Sequence, residues 1–292
     1  MMEKIINKKQ NAFGAKIPEI KEVFQNTDVE KYIIQRLTEV LEYLEVTDAK
    51  QVVDVVVKSA KHYDKVANYE KNIHQLFDQK RITQRIPIKL ANRAQIMFSQ
   101  IKPHILGHQV LDLGCGDGKI GELISKQGRH VVLADVYENG NISNIELPFV
   151  FTKQNGKLPF EDNFFDTTLV LTVLHHSNDP VEVITEARRV TKNNGRIIVI
   201  ESVYGITEYS KNLNEEAQRL ANLFFDHFYN RVIHYSEFEE NKVNVPFNFQ
   251  TPKAWKAFFE KYGLRQIKIE NLGFDQPTVP EYHTLHVLEV RK

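Results

Sequence analysis

The chain has 292 residues, enough for one large or two small domains with a full hydrophobic core. Its 38 Lys plus Arg balance 38 Asp plus Glu, so no net field draws it to nucleic acid or to an anionic membrane. The single cysteine, Cys115, excludes an internal disulfide, and no apolar leader or run of membrane-spanning length is present, so the expected location is the cytoplasm. Residues 1–16, with Lys4, Lys8, Lys9 and Lys16, read as a solvated, frayed tail. Residues 17–105 read as helical. Asn26-Thr27-Asp28 caps a helix in which Ile33, Ile34, Leu37, Val40, Leu41 and Leu44 recur at helical spacing. Thr47-Asp48 reads as a second cap, followed by Val52, Val53, Val56, Val57 and Ala60 on one face. These valines are stiff at χ1 and suit strands, but their spacing is that of a helix. Pro87 precedes a further helix through Ala94, Ile96, Met97 and Ile101, which Pro103 and Gly107 end.

From 108 to 205, strands alternate with helices, which predicts a parallel sheet covered on both faces. Asn212 to Tyr235 reads as an amphipathic helix carrying Leu213, Ala217, Leu220, Leu223, Phe224, Phe228 and Val232. The polar segment Asn241 to Gln250 leads to a helix begun by Thr251-Pro252, with Ala254, Trp255, Phe258 and Phe259 as its apolar stripe. Strands over about 264–270 and 283–291 close the chain.

The chemistry concentrates in Val110-Leu111-Asp112-Leu113-Gly114-Cys115-Gly116-Asp117-Gly118, followed by the helical pattern Lys119 to Ile124. An apolar strand ends in an acid and turns into three glycines at alternate positions. Residues without Cβ let the backbone turn sharply and approach a ligand closely. A dinucleotide fingerprint is G-x-G-x-x-G with its acid about 20 residues on. Here the acid, Asp112, lies two residues before the first glycine, where it would repel a pyrophosphate and suit a cationic cofactor. Val131-Val132-Leu133-Ala134-Asp135 is a second strand ending in an acid. Leu158-Pro159-Phe160 leads into the strand Thr168 to Leu174, followed by His175-His176. A helix with Glu186, Arg188, Arg189 and Val190 then reaches an Asn194-Gly195 turn and the strand Arg196 to Glu201.

In these pieces, their order and their spacing, the chain from about residue 90 resembles the class I S-adenosylmethionine (SAM) dependent methyltransferases, specifically the type 11 group. The resemblance implies a Rossmann-like α/β fold: a mostly parallel sheet with an antiparallel last strand. To this the chain adds an N-terminal helical region or cap (1–105) ahead of the SAM-binding domain (106–292), with 207–250 a helical insertion or lid. It implies SAM as cofactor, with S-adenosylhomocysteine as product. Asp112, Gly114, Cys115, Gly116 and Gly118 would form the cofactor loop. Asp135, with Val136 after it, would take the ribose hydroxyls. The family often has an Asp before Leu-Pro-Phe to meet the adenine; this chain has Gln154 and Asn155, which accept hydrogen bonds without charge.

Ligands of open α/β sheets sit beyond the C-terminal strand ends, which adds Thr172 to His176 and Glu201 to Tyr204 as candidates. His175 or His176 could serve as base if the acceptor must lose a proton, with Glu201 orienting a His or binding substrate; packing alone is the plainer role for each. Cys115 reads as a small turn residue rather than a nucleophile. His175, His176, Asp226, His227, His234 and His283 could in principle converge on a metal, but Asp226-His227 and His234 show no recognised ligand spacing and most read as polar positions of amphipathic elements, so no metal is expected. The chain lacks the Asn/Asp-Pro-Pro-aromatic motif that amino-methylating enzymes of nucleobases and glutamine often carry after the fourth strand. The expected activity is methyl transfer to a small molecule, O- or N-methylation favoured and C-methylation possible, by a monomer or homodimer without nucleic-acid or membrane partners. The alternatives are a non-catalytic SAM-fold binding module and a dinucleotide-dependent oxidoreductase.

Overall fold

A computed structural model describes residues 19–152, 157–238 and 242–292. The lysines of the N-terminal tail, Gln154 and Asn155 lie outside the described residues. The chain divides into two compact units, each discontinuous in sequence. One comprises Met1–Ala91, Ser202–Thr251 and Leu272–His283; the other comprises Asn92–Glu201, Pro252–Asn271 and Thr284–Lys292.

In the first unit, helices α1 (Ile20–Val23), α2 (Thr27–Tyr43), α3 (Ala49–His62), α4 (Val66–Gln79) and α5 (Arg85–Lys89) follow in succession. Asn26 caps α2 as its sequence predicts, accepting from the Asp28 and Val29 amides at 3.0 and 3.2 Å. Asp48 stands at the N-cap of α3 but makes no capping bond; its carboxylate pairs with Lys80 instead. The valine face of α3 is buried, so packing outweighs β-branched propensity. Helix α9 (Glu215–His227), capped by Asn214 onto the Ala217 amide at 2.9 Å, runs into a π-helical turn over Phe228–Ile233. The helix read from 212 to 235 is therefore shorter and changes winding at residue 228. Buried Glu70 on α4 binds His227 Nε2 at 3.0 Å and Arg231 at 3.4 Å, tying the two ends of this junction to α4.

The second unit opens with α6 (Arg93–Ile101) and a 3₁₀ turn over Lys102–His104, so helical structure continues to residue 104 while the two units divide after Ala91. The helix expected after Pro87 is two pieces, α5 and α6, separated at residues 90–92. Strands β1 (Gln109–Leu113), β2 (His130–Asp135), β3 (Phe149–Phe151), β4 (Phe165–Leu171), β5 (Thr191–Ser202), β6 (Leu264–Gln276) and β7 (Val279–Val290) form one sheet in the order β3-β2-β1-β4-β5-β7-β6. Strands β1 to β5 pair in parallel, and the last strand of the chain, β7, is the antiparallel one implied by the resemblance, inserted between β5 and β6. Helices α7 (Lys119–Ser125), α8 (Pro180–Val190) and α10 (Pro252–Lys261) provide the intervening crossovers and connections. Near-complete burial of β1 and β4 is what a parallel strand covered on both faces requires.

Three boundaries shift from the sequence reading. β4 begins at Phe165 and stops at Leu171, three residues before the expected Leu174. β5 begins at Thr191, upstream of the expected Asn194-Gly195 turn, which survives as an irregularity: Asn194 has φ +62° and the β4–β5 register shifts between Phe165 and Thr167. The two final strands are longer than expected because they form a continuous hairpin.

Candidate active site

The glycine loop leaves β1 in the geometry its sequence requires. Gly114 has φ +78°, and a Cβ there would lie 2.4 Å from Val173 Cγ2. Gly116 has φ +53°, and a Cβ there would meet nothing within 4 Å. The first glycine is demanded by the protein's own packing, whereas the second borders open space. The Gly114 and Cys115 amides donate to the Ala134 carbonyl at 2.7 and 3.1 Å, which fastens the loop to the end of β2.

Two carboxylates stand at this loop. Asp112, 2% exposed, leaves its Oδ2 without a hydrogen-bond partner among the described residues. Burial pushes its carboxyl up to about 7, neighbouring Asp135 adds to the rise, and the Gly121 backbone opposes it. A buried, unsatisfied carboxylate oxygen is costly unless a ligand satisfies it. Asp135 is also buried, and its Oδ2 and Oδ1 accept from the Gly116 amide at 2.9 Å and the Val136 amide at 2.7 Å. Burial raises its carboxyl and these amides oppose the rise. The Tyr137 backbone opposes the rise as well, and a carboxylate with about four acceptor sites can still accept from a ribose hydroxyl. The Val136 side chain is exposed. Burial, and the charges of Asp112 and Asp135, hold the Cys115 thiol far above its ordinary range, which agrees with a turn role rather than a nucleophilic one.

Leu158-Pro159-Phe160 is held from α8. Glu186 accepts the Leu158 amide at 2.6 Å, and Arg189 donates to the Phe160 carbonyl at 2.8 Å while binding Glu186. Burial alone would raise the Glu186 carboxyl; Arg189 and the Leu158 amide more than offset it and leave it below its usual range.

The loop after β4 is strained and anchored. Thr172 has φ +58°, a left-handed conformation unfavourable for a β-branched residue, and its amide donates to the Ile200 carbonyl at 2.7 Å. Residues 174–176 then form a single 3₁₀ turn. Glu201, fully buried at the end of β5, accepts the Val173 and Leu174 amides on Oε1 at 3.1 and 2.7 Å. Its Oε2 accepts the His175 amide at 3.2 Å and lies 2.6 Å from His175 Nδ1. Four donors thus meet the four lone pairs of one carboxylate if Nδ1 carries the proton. Burial raises Glu201 to about 7 against those amides, and burial with the Arg93 charge keeps the His175 ring neutral. The His175 ring is 1% exposed; the His176 ring lies 4.1 Å away, centroid to centroid, and is partly exposed.

Structure therefore brings Asp112, Gly114, Cys115, Gly116, Gly118, Asp135 and Val136 into one loop cluster, and Thr172, His175 and Glu201 into another. The anchoring role of Glu201 was not legible in sequence, since no local pattern says that the last residue of one strand will meet three amides of the loop after its neighbour. A buried chain in the first unit was missed for the same reason: Ser202 Oγ donates to Glu281 at 2.5 Å and lies 3.1 Å from His283 Nε2.

The sequence of residues 111–199 matches the family model described as "Methyltransferase domain". A class I SAM-dependent methyltransferase domain fits this match. Among curated relatives of the domain is a ubiquinone biosynthesis O-methyltransferase of Xylella fastidiosa (strain M23), 25% identical over 121 residues, covering 39% of this chain and 49% of that protein. Another is a ubiquinone/menaquinone biosynthesis C-methyltransferase of Vibrio campbellii, 31% identical over 130 residues, covering 39% of this chain and 47% of that protein. The chain spans about half the length of the curated relatives it matches. Among solved structures, a methyltransferase in complex with the Haloferax volcanii Trm112 methyltransferase activator shares the fold at 14% identity, with a TM-score of 0.50 over 75% of this chain and 98% of that one. The cofactor of such a methyltransferase domain is SAM. The residues present fit it: an orphaned carboxylate oxygen for a cationic group, open space at Gly116, and remaining acceptor capacity on Asp135 for a ribose hydroxyl.

Proposed function

We propose that the chain is a SAM-dependent methyltransferase acting on a small molecule, with O- or N-methylation favoured and C-methylation the variant. Asp112 carries the reading: its unsatisfied oxygen, buried beside a glycine loop, calls for a cationic ligand and argues against a pyrophosphate. When bound, SAM supplies a methyl group on a positively charged sulfur that leaves readily. The chain's own contribution is then alignment and exclusion of water. Gly114 to Gly118 shape the backbone cradle, Asp112 faces the cationic end, and Asp135 holds the ribose. Glu201 positions the loop after β4 through its three amide bonds and fixes the His175 ring. That makes His175 a positioning residue and leaves partly exposed His176 as the base for an acceptor that must lose a proton. Gln154 or Asn155 would meet the adenine.

Calorimetric titration with SAM, S-adenosylhomocysteine and NAD in parallel tests the reading. Binding of the first two without NAD is expected. Binding of NAD, or of none, overturns it, and tight SAM binding without turnover on any acceptor class would favour the non-catalytic module.

A further inference from the structure

Within the first unit lies a cavity of about 570 Å³ that the cofactor loop does not share. Its volume is in the small-molecule range of roughly 300–1,000 Å³. The wall is aromatic. Tyr32 and Tyr209 lie 5.8 Å apart, centroid to centroid, and Phe274 is 5.5 Å from Tyr209. Two cations line the same space, Lys31 and Arg36, against one acid, Asp28. Lys31 and Asp28 are both exposed and 3.8 Å apart, a pair too solvated to hold each other firmly. The Arg36 guanidinium carbon lies 4.5 Å over the Phe274 ring centroid, within cation–π range. Its Nη1 donates to Glu39 at 2.6 Å, while its Nε has no hydrogen-bond partner among the described residues. Tyr209 gives its hydroxyl to Asn222 at 2.7 Å, so that ring is locked in place from behind.

A guanidinium over a ring, with a lysine nearby and the partly exposed Tyr32 and Phe274 rings on the same space, is a recognition set for one chemistry. The rings offer stacking faces to a planar apolar body, and the cations offer charge-assisted donors to a carboxylate. We propose that this cavity binds a small planar aromatic carboxylate, its ring against Tyr32 and its carboxylate toward Arg36 and Lys31. The inference stands apart from the methyl-transfer reading, since it uses no residue of the cofactor loop.

Calorimetric titration of the full chain with 2-naphthoate tests it, with 2-naphthamide (neutral) and decalin-2-carboxylate (not planar) as comparisons. Saturable binding of 2-naphthoate, at least about tenfold tighter than either comparison, is expected. Arg36→Gln should weaken 2-naphthoate by at least about tenfold and Lys31→Gln by about threefold, with SAM affinity of both variants at the parent value. Lys31 is exposed and Arg36 partly so, and circular dichroism checks that both variants keep the fold. The proposal fails if 2-naphthoate shows no saturation by about 10 mM, if 2-naphthamide binds equally well, or if Arg36→Gln binds like the parent. Loss of SAM binding by the parent would overturn the methyltransferase reading and leave this one standing.

Discussion

The glycine loop and the aromatic cavity are both places where a small molecule can sit, and they are assembled in opposite ways. The loop takes its shape and one of its acids from a single run, Asp112 to Gly118, with Asp135 joined through the Gly116 amide at 2.9 Å. The cavity draws on α2, on residues 209–213 and on Phe274 in β6, which no sequence pattern connects. A cofactor can be met by a short run of backbone and carboxylate. A pocket lined by separate segments has a chemistry that appears only in three dimensions.

Substitutions in the loop should break that contrast in graded steps, from complete loss of cofactor affinity to none. Gly116→Val places a branched side chain in open space at φ +53°, so SAM affinity should fall by more than about a hundredfold, at a fold cost of about 1–3 kcal/mol. Gly114→Val, driven into Val173, should show the reverse balance, with a lowered Tm as its first effect. If Gly116→Val binds SAM like the parent in calorimetry, the cradle is elsewhere. Asp135→Ala removes a buried acceptor of ribose hydroxyls and should weaken SAM by about 10- to 100-fold, the range of a charge-assisted hydrogen bond.

Asp112→Asn separates binding from stability. Its carboxyl stands at about 7 against an ordinary 3.8, so the folded chain holds a proton that the unfolded chain releases. That contribution is present at low pH and lost as pH rises through about 7. At pH 8, therefore, the neutral amide should raise Tm by about 2–4 °C while costing about tenfold in SAM affinity. In the parent, SAM affinity should decline as pH falls below about 7, where the carboxylate gains its proton. A flat affinity profile from pH 6 to 8 would remove Asp112 from the cationic end of the ligand.

The loop after β4 should leave cofactor affinity near the parent value. Glu201→Gln turns an acceptor of four donors into a group with its own N–H, and should cost about 1–3 kcal/mol of stability by chemical denaturation. His176→Ala should lower turnover by about a hundredfold or more where the acceptor must lose a proton, with recovery as pH rises. Unchanged turnover would end the base role.

Sequence was a good guide wherever a structural demand is local. The turn at Gly114, the cap at Asn26 and the valine face of α3 each follow from neighbours a few residues away. It misled where a distant partner competes. Asp48 has the composition of a cap but is drawn to Lys80, and α6 follows the helical pattern of its predecessors yet groups with the sheet. The end of β4 was placed late because Thr172 and Val173 have strand propensity; Glu201, 28 residues on, binds the Val173 amide and the turn beyond it.

By itself the sequence determined the alternation of strands and helices, the glycine loop and the acids at two strand ends. Period, turn chemistry and residue spacing act over a handful of bonds. Tertiary structure alone decided which carboxylate stays unsatisfied, which histidine is buried and held, and where aromatic rings and cations share one cavity. Those outcomes depend on burial and on partners brought together across the fold, and neither burial nor partnership is a property of a residue's neighbours in sequence.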